Sequence, residues 1–364
     1  MTWEQFLDHV QHNYSNWPTP AIVAFEVAII VAAGVTYRFF NARMLRVRQH
    51  FILVASSVFA MEFFTAPMWF NLNLGVWGYV YSDVSWVLTL AWTTMILWTV
   101  YGVDEVGRHL ASAQRFALYV LLLTPQALLF EAVATALGIR AYSPETLAAA
   151  GPGRIPILNL PTAGLYYIPV FMTLVLSLYK YWLPAFEPGR APGPAGSLLR
   201  RLALTIVGVF LFEIMVEPMA TNLNFPTWSY VFHDITIVMT GFWVLLVTLA
   251  TYVIDRLIPN VDFRLRFAAY LALLTAVAVP IEGWFIQSGY RVYGPTATSE
   301  FLGFRTLIGD IPLEVVAAIP LYLALVISFV RYWDGGAAQG LGLRERATAT
   351  PAYPAIEGAA PILR

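Results

Sequence analysis

The chain has 364 residues, of which 59% are apolar and 12% are charged, and its formal net charge is −1. Soluble domains carry about 25% charged residues, so this composition, with a mean hydropathy of +0.66, excludes an ordinary soluble protein. The near-zero net charge gives no indication of nucleic acid as a partner. The absence of cysteine excludes disulfides, thiolate catalysis and iron–sulfur ligation.

Apolar stretches of about 20 residues recur along the chain, each long enough to cross the ~30 Å hydrocarbon core of a bilayer. The first stretch has neither a charged segment before it nor a small-residue cleavage site, which indicates a true span and not a signal peptide. We predict nine transmembrane helices, over residues 20–40, 50–71, 85–106, 114–138, 161–183, 202–222, 236–258, 265–288 and 311–333.

The second to ninth stretches form two copies of one unit, offset by 151 residues without a gap. Identical residues at this offset include Glu62/Glu213, Asn71/Asn222, Asn73/Asn224, Trp77/Trp228, Tyr79/Tyr230, Glu131/Glu282, Arg140/Arg291 and Tyr142/Tyr293. Each copy holds four spans, an even number, so the copies must run parallel. The predicted fold is an all-α polytopic membrane protein with one helix followed by two tandem parallel four-helix repeats.

This organisation divides the chain into five segments. They are an N-terminal interfacial segment with the first transmembrane helix (1–45), membrane repeat 1 (46–186), a Pro/Gly-rich linker (187–197), membrane repeat 2 (198–334) and a disordered cytoplasmic tail (335–364).

The basic residues of the loops predict the orientation. Seventeen of the 21 Lys and Arg residues fall in one set of loops, and only Arg140, Arg154, Arg291 and Arg305 fall in the other. Basic loops stay in the cytoplasm, so the N-terminus is expected outside and the C-terminus inside. We therefore expect a multi-pass protein of a bacterial-type cytoplasmic (inner) membrane, in contact with membrane lipids.

Six glutamates lie inside the predicted spans and away from their ends, where an ionisable group is costly and marks a functional site. They are Glu26, Glu62, Glu131, Glu213, Glu217 and Glu282. Because no Lys or Arg lies deep in a span to pair with them, we expect the acidic side chains of both copies to meet in one lipid-embedded chamber near the outer surface. The alternative is that each Glu hydrogen-bonds a neighbouring helix and only locks the packing.

The second copy is richer in carboxylates than the first. Glu213 and Glu217 lie four residues apart on one helix face, and two carboxyls so close cannot both ionise cheaply, so at least one is predicted to be protonated as a general acid requires. At three positions the second copy has a carboxylate where the first copy has none: Glu217 in place of Ala66, Asp310 in place of Asn159 and Glu314 in place of Ala163. They favour a reactive site in copy two, with ordinary drift after duplication as the alternative.

Aromatic residues are interleaved with asparagines just beyond the spans. Trp69, Trp77, Tyr79, Trp228 and Tyr230 alternate with Asn71, Asn73, Asn222 and Asn224. Aromatic faces beside carboxyls can line a substrate channel and stabilise a carbocation, although an aromatic girdle at the membrane surface gives the same pattern. The five histidines form no cluster, and phosphate loops and Asp-rich magnesium motifs are missing, so no metal or cofactor is predicted.

Part of the second copy resembles integral-membrane carotenoid enzymes, the family that includes carotenoid hydratases and the bacterial–fungal lycopene cyclases. The resemblance rests on Glu282–Trp284, Gly289, Tyr290, Tyr293, Leu302–Gly303, Gly309, Ile311–Glu314 and Pro320, and in the first copy on Pro67–Tyr79. The chain departs from the cyclases at their paired P-x-E-E motif, because Glu314 is followed by Val315 and the first copy has no Glu there.

The resemblance implies an enzyme that protonates a C=C bond of a polyisoprenoid or carotenoid lipid, as a cyclase or hydratase without redox change. Glu282 and Glu314 would be the acid/base pair, with Asp310 nearby, Glu213 and Glu217 would tune protonation, and Trp228 and Tyr230 would stabilise the cation. The remaining expected substrate-binding residues are Asn222, Asn224, Glu62, Asn71, Asn73, Trp77, Glu131 and Tyr293. The substrate would be a lipid-soluble isoprenoid, and no cofactor would be required.

Two other functional classes stay open at this point. Parallel repeats with midplane carboxylates also suit a proton- or sodium-coupled transporter. A non-catalytic subunit of a membrane complex is the third possibility, for which inert Glu→Gln variants would be the sign.

Overall fold

The computed structural model describes residues 17–44, 46–186, 196–299, 304–306 and 309–346. The segment expected to lie along the membrane interface precedes these ranges. Most of the expected linker also lies outside the described residues.

The described chain is mostly helical, with short connections between helices. The helices are α1 (Pro20–Asn41), α2 (Val47–Thr65), α3 (Trp86–Val106), α4 (Ser112–Ala136), α5 (Pro144–Ala150), α6 (Gly164–Trp182), α7 (Leu198–Val216), α8 (Ile237–Leu257), α9 (Phe263–Gln287), α10 (Pro295–Ser299) and α11 (Leu313–Arg346). Eight of them are long and apolar enough to cross a membrane, namely α1, α2, α3, α4, α6, α8, α9 and α11. The chain is therefore a helical, multi-pass membrane protein.

Helix α7 corresponds to the predicted span 202–222 but is not among these eight, because it carries three charged residues. It has 19 residues, which at 1.5 Å per residue is about 28 Å. Arg200 and Arg201 at its start and Glu213 near its end raise its charge. Its length matches the thickness of the hydrocarbon core of a bilayer. The proposed topology therefore includes it as a ninth span.

The all-α prediction misses eight short strands at one end of the bundle, which pair antiparallel in twos. The pairs are β1 (Trp69–Asn71) with β4 (Arg140–Tyr142), β2 (Tyr79–Tyr81) with β3 (Val84–Ser85), β5 (Ala220–Asn222) with β8 (Arg291–Tyr293), and β6 (Tyr230–Phe232) with β7 (Ile235–Thr236). We call this end the strand end, and the opposite end, where most arginines lie, the basic end.

Two predicted spans, 50–71 and 202–222, overrun the helices that they describe. Helix α2 ends at Thr65 and α7 at Val216, and the residues that follow lead into β1 and β5. Proline has no amide hydrogen and its ring clashes with the preceding turn, so Pro67 and Pro218 prevent either helix from continuing. The chain turns into a strand at both places.

The strand pairs of the two halves have the same register. Asn71 lies opposite Arg140 in the pair β1–β4, and Asn222 lies opposite Arg291 in the pair β5–β8. The residues of the second pair follow those of the first by 151 positions. The two halves therefore have the same local backbone arrangement at the strand end.

Four helices, α2, α6, α7 and α11, pack against one another at the centre, and the contact between α6 and α11 is the most extensive. Helices α3 and α4 flank the first half, α8 and α9 flank the second, and α1 packs mainly on α3. Gly208 permits the approach of α7 to α11, since a Cβ atom there would lie 3.0 Å from the ring of Phe329. Buried side chains of both halves form one apolar core.

Helix α11 continues to Arg346, so the first part of the tail expected to be disordered from residue 335 is helical. Ala, Gln, Leu and Arg in this stretch favour helix, and extending an existing helix requires no new nucleation. Residues 347–364 lie outside the part of the chain that the structure describes.

An aspartate in each half holds the basic end together. Asp255 on α8 binds Arg331 of α11 at 2.7 Å and Arg201 of α7 at 2.8 Å. Asp104 on α3, the equivalent residue of the first half, binds Lys180 of α6 at 3.0 Å. Each aspartate thereby links a flanking helix to the central four.

We predict that Asp255→Asn lowers the free energy of unfolding by about 3–5 kcal/mol, because it leaves the buried Arg331 without its carboxylate. Unfolding in detergent would measure the change. The control is Glu105→Gln, which removes an exposed ion pair with Arg108 and should cost less than about 1 kcal/mol. Equal losses in the two variants would contradict the importance of the Asp255 contacts.

A glutamate joins the two halves at the strand end. Glu145 on α5 accepts a hydrogen bond from the backbone N of Thr296 on α10 at 2.8 Å, and a second one from the Thr296 hydroxyl. Both residues lie between membrane spans. Burial acts to raise the pKa of Glu145, but the hydrogen bonds from Thr296 outweigh it, and the net pKa is below the ordinary value of 4.5.

The lowered pKa predicts how this contact depends on pH. A group whose pKa is lower in the folded state stabilises the fold in its ionised form. The contribution of Glu145 is therefore complete above pH 4.5 and is lost as the pH falls through the lowered pKa. We predict that Glu145→Gln unfolds at a lower temperature than the wild type at pH 7, and that the difference shrinks below pH 4.5. Thermal unfolding across this pH range tests it, and a difference independent of pH would contradict it.

Candidate functional site

Two separate cavities extend from the strand end toward the middle of the bundle, one in each half. The C-terminal cavity has a volume of about 80 Å³, and its lining includes Phe64, Glu213, Trp243, Glu282, Arg291, Tyr293 and Tyr322. The N-terminal cavity has a volume of about 50 Å³, and its lining includes Glu62, Trp92, Glu131, Arg140, Tyr142 and Tyr167. The two cavities have no lining residue in common.

Glu213 places a carboxyl group in the wall of the C-terminal cavity. It lies on α7 and accepts a hydrogen bond through Oε2 from the hydroxyl of Thr240 on α8. Its other oxygen, Oε1, is buried and has no hydrogen-bond partner among the described residues. A carboxyl group that is buried with only a hydroxyl as hydrogen-bond partner favours its neutral form, because the charge of Arg291 in the same cavity offsets only part of the cost of burial.

Glu282, in the same cavity, has a different environment. Its Oε1 lies 3.4 Å from Nε of Arg291 and accepts a hydrogen bond from the hydroxyl of Tyr293 at 2.8 Å. Burial acts to lower the pKa of Arg291, but the charge of Glu282 outweighs it, so the guanidinium stays positive. Burial also raises the pKa of Tyr293, which remains a neutral donor. Glu282 is therefore bound by a cation and by a hydroxyl donor.

The ion pair corrects the expectation that no Lys or Arg would lie deep enough to pair with the buried carboxylates. Arg291 was assigned to an outer loop, but the chain after α9 turns back as β8 and pairs with β5. This return buries the arginine beside Glu282, nine residues earlier in the chain. Because a buried guanidinium needs a carboxylate, the pair fixes the course of the backbone.

The N-terminal cavity repeats the same set of groups. Thr89 donates a hydrogen bond to Oε2 of Glu62, whose Oε1 is buried and has no partner within the described ranges. Arg140 pairs with Glu131 at 3.1 Å, and the hydroxyl of Tyr142 lies 3.5 Å from the same carboxylate. Each half thus carries one carboxyl hydrogen-bonded to a threonine and one carboxyl in an ion pair with arginine.

The carboxylates of the two halves do not meet in one chamber, contrary to the expectation from the sequence. Glu213 and Glu282 line the C-terminal cavity, whereas Glu62 and Glu131 line the N-terminal one. Glu26 lines neither, and accepts a hydrogen bond from the backbone N of Gly75 at 2.7 Å. The reason is that each of the four glutamates that line the cavities is bound by a threonine or an arginine of its own half.

The expected acid/base pair of Glu282 and Glu314 is not assembled either. Glu314 is not part of the wall of the C-terminal cavity, and it accepts a hydrogen bond from the hydroxyl of Tyr81 at 3.0 Å. Glu217 accepts one from the hydroxyl of Tyr167 at 3.4 Å. Because both tyrosines belong to the first half, the extra carboxylates of the second half reach across to the first.

Asp310 lies away from both cavities. Its side chain is 65% exposed and pairs with Arg305 at 2.7 Å. Its φ of 57° places it in the left-handed region, which suits the turn that precedes α11. The structure thus gives Asp310 a role in a surface turn and no contact with the other expected catalytic residues.

The asparagines expected to bind substrate hold loops. Asn71 donates to the backbone O of Asp83 at 2.6 Å, and Asn73 donates to the backbone O of Gly138 at 3.0 Å. The equivalent pairs of the second half are Asn222 with Asp234 at 2.9 Å and Asn224 with Gly289 at 3.0 Å. None of these four side chains is in the wall of either cavity.

Of the aromatic residues expected to line a channel or stabilise a cation, Trp69 lines the N-terminal cavity and Tyr79 is buried. Trp77 and Trp228 lie at the surface of the strand end. Trp77 is 49% exposed and Trp228 is 70% exposed, and the hydroxyl of Tyr230 donates to the backbone O of Asn222 at 3.1 Å. The aromatic wall of the C-terminal cavity consists instead of residues such as Trp243 and Tyr322.

The sequence did not single out several residues that line the cavities or bind their carboxyls: Thr89, Thr240, Arg140, Arg291, Trp243 and Tyr322. A signal was present for most of them. The threonines and arginines recur at the 151-residue offset, as do Trp92 and Trp243. Polar residues repeated inside apolar spans indicate partners for the repeated carboxylates.

Within the described part of the chain, no three His, Asp or Glu side chains come together in a group that could hold a metal ion. Comparisons with protein-family models, with curated proteins and with solved structures find no match to this chain.

We predict that Arg291→Gln lowers the free energy of unfolding by about 3–5 kcal/mol, because it leaves the buried Glu282 carboxylate without a cation. Adding Glu282→Gln should recover most of the loss, since two neutral amides bury no charge. Unfolding in detergent measures both variants, with Arg140→Gln and Glu131→Gln as the matched pair of the first half. Additive losses in the double variant would contradict the ion pair.

Proposed function

We propose that the protein is a membrane-embedded enzyme that protonates a C=C bond of a linear polyisoprenoid lipid, as a cyclase or hydratase without redox change. The observation that carries the proposal is the C-terminal cavity. In it, Glu213 presents a carboxyl oxygen with no partner among the described residues, inside a mostly apolar, aromatic wall and beside the Glu282–Arg291 pair. The resemblance of the segment from Glu282 to Pro320 to carotenoid enzymes supports the same substrate class.

The proposal reverses the roles first expected of the two carboxyls. Glu213, which has only Thr240 as a partner, is the acid, and Glu282 stays ionised beside Arg291. Two carboxyl groups in one site take different protonation states when their surroundings differ in this way. A neutral carboxylic acid in an apolar space is the group that can transfer a proton to a hydrocarbon.

The reaction begins when Glu213 transfers its proton to the less substituted carbon of a terminal C=C bond, whose π electrons form the new C–H bond. The tertiary carbocation is stabilised by the carboxylate left on Glu213 and by the faces of Trp243 and Tyr322. In a cyclase, a second C=C bond closes the ring and a neighbouring carbon returns a proton to Glu213. In a hydratase, water adds to the cation and returns the proton. Neither reaction oxidises or reduces the lipid.

The size of the cavity limits the substrate. An engineered cavity of ~150 Å³ holds a benzene ring, and the C-terminal cavity has about 80 Å³. Only the branched end of a linear chain fits such a space, so the rest of the lipid must lie outside it. The N-terminal cavity carries the same groups on Glu62 and Glu131 and is proposed to act on the same kind of chain end.

The proposed topology has nine spans, with α7 as the span that its charge obscures, and two parallel halves. The basic end faces the cytoplasm of a bacterial inner membrane and the strand end faces outward, with the N-terminus outside. The ion pairs of Arg140 and Arg291 support this orientation, because they take two of the four strand-end arginines out of contact with solvent.

We predict that bacteria making linear polyisoprenoids accumulate a cyclised or hydrated lipid when they express the protein. Glu213→Gln and Glu62→Gln should each lower its amount, and the double variant should lower it by roughly 100-fold or more, because each removes a general acid. Mass spectrometry of the extracted lipids measures the product. The control is Glu26→Gln, which changes a buried carboxylate outside both cavities.

If the wild-type protein leaves the lipids unchanged in several bacterial strains that make different isoprenoids, the proposed enzymatic activity is wrong. Proton- or sodium-dependent solute uptake into vesicles, lost in the same variants, would then indicate a transporter. Variants without effect in either assay would indicate a non-catalytic subunit.

A further inference from the structure

A row of polar side chains leads from the surface of the strand end to the N-terminal cavity. His233, in the turn between β6 and β7, has a side chain that is 42% exposed, and its Nδ1 lies 3.1 Å from Oε1 of Glu217. Glu217 is buried, and its Oε2 accepts a hydrogen bond from the hydroxyl of Tyr167 at 3.4 Å. Tyr167 lines the N-terminal cavity. The row therefore crosses from the second half of the chain into the first.

The cavity itself can connect Tyr167 to Glu62. A water molecule needs about 10–15 Å³ of such volume and two to four polar partners, and this cavity has about 50 Å³. Glu62 offers Oε1, which has no partner in the described ranges, and Tyr142 and Arg140 contribute further polar groups to the wall. Water in the cavity would complete the connection.

We propose that His233, Glu217 and Tyr167 form a proton-uptake path that recharges Glu62 from the solvent at the strand end. The purpose of the path rests on the proposed function, because Glu62 can act as an acid only while it is protonated, and a proton that it loses between turnovers must be replaced from solvent. The hydroxyl hydrogen of Tyr167 first turns from Oε2 of Glu217 toward cavity water. A proton then passes from His233 to Oε1 of Glu217 while the proton on Oε2 passes to the oxygen of Tyr167. Tyr167 releases its own hydroxyl proton through cavity water to Glu62, and His233 takes a new proton from solvent.

Each group has the chemistry that its place requires. An imidazole takes up and releases protons between pH 5 and 8. A carboxyl group can receive a proton on one oxygen and lose one from the other, and a hydroxyl both accepts and donates. Asp234 and Tyr166 also face this path, at Glu217 and Tyr167, and Glu131 and Arg140 face its inner end at Glu62.

The path serves only the N-terminal cavity, because the equivalent positions around the C-terminal cavity lack two of its groups. The positions equivalent to Glu217 and Tyr167 are Ala66 and Ala318, and the position equivalent to His233 is Ser82. Alanine can neither donate nor accept a proton. The C-terminal cavity and its Glu213 therefore provide an internal control.

The test is hydrogen–deuterium exchange of the carboxylic acid C=O bands of the purified protein, followed by infrared spectroscopy after transfer to D2O. Glu62→Gln and Glu213→Gln assign the two bands. We expect Glu217→Gln and Tyr167→Phe to slow exchange of the Glu62 band by roughly tenfold or more, with the Glu213 band unchanged. His233→Ala should slow the Glu62 band similarly, and imidazole added to the buffer should restore its rate.

Wild-type exchange of the Glu62 band in Glu217→Gln and Tyr167→Phe would overturn the path, and so would the absence of any Glu62 acid band. Slowing of both bands together would also overturn it, because it would indicate a general change in packing. Glu217→Asp, which keeps a carboxyl group, should exchange faster than Glu217→Gln. The measurement uses no substrate, so it can fail or succeed independently of the proposed enzymatic activity.

Discussion

The buried ion pair between a helix glutamate and a strand arginine is the interaction on which the strand end depends. It occurs as Glu131–Arg140 in the first half and as Glu282–Arg291 in the second. A guanidinium in an apolar interior is stable only beside a carboxylate, so the chain must turn back on the helix that it has just left. That turn forms the antiparallel pairs β1–β4 and β5–β8 and adds Tyr293 and its equivalent to the cavity walls.

The positions of the long helices could be predicted from composition. A single apolar run of about 20 residues can satisfy its backbone hydrogen bonds in a bilayer only as a helix. Eight of the nine predicted spans correspond to helices that are long and apolar enough to cross. The strands could not be predicted in the same way. Segments of two or three residues are too short to show a period, and those after Pro67 and Pro218 merged with the apolar runs before them.

The buried carboxylates could be located from sequence, but their roles depend on neighbours that the sequence does not display. Glu213 and Glu282 are alike as apolar-span glutamates, and only the return of Arg291 gives Glu282 an ion-pair partner and leaves Glu213 with a hydroxyl. Glu217 and Glu314 were expected to react because they are extra carboxylates. Their contacts with tyrosines of the other half show that a gain of charge can also serve the contact between two halves.

Glu145 and Thr296 occupy equivalent positions of the two copies, 151 residues apart, and yet they touch. Equivalent positions can meet only on the axis that relates the two halves. A dimer of identical subunits would place the same side chain twice at this point, either two glutamates that repel or two threonines without an anion. Fusion into one chain frees the two positions to differ, so that an acceptor faces a donor. Covalent linkage thus permits complementarity at a place where strict symmetry forbids it.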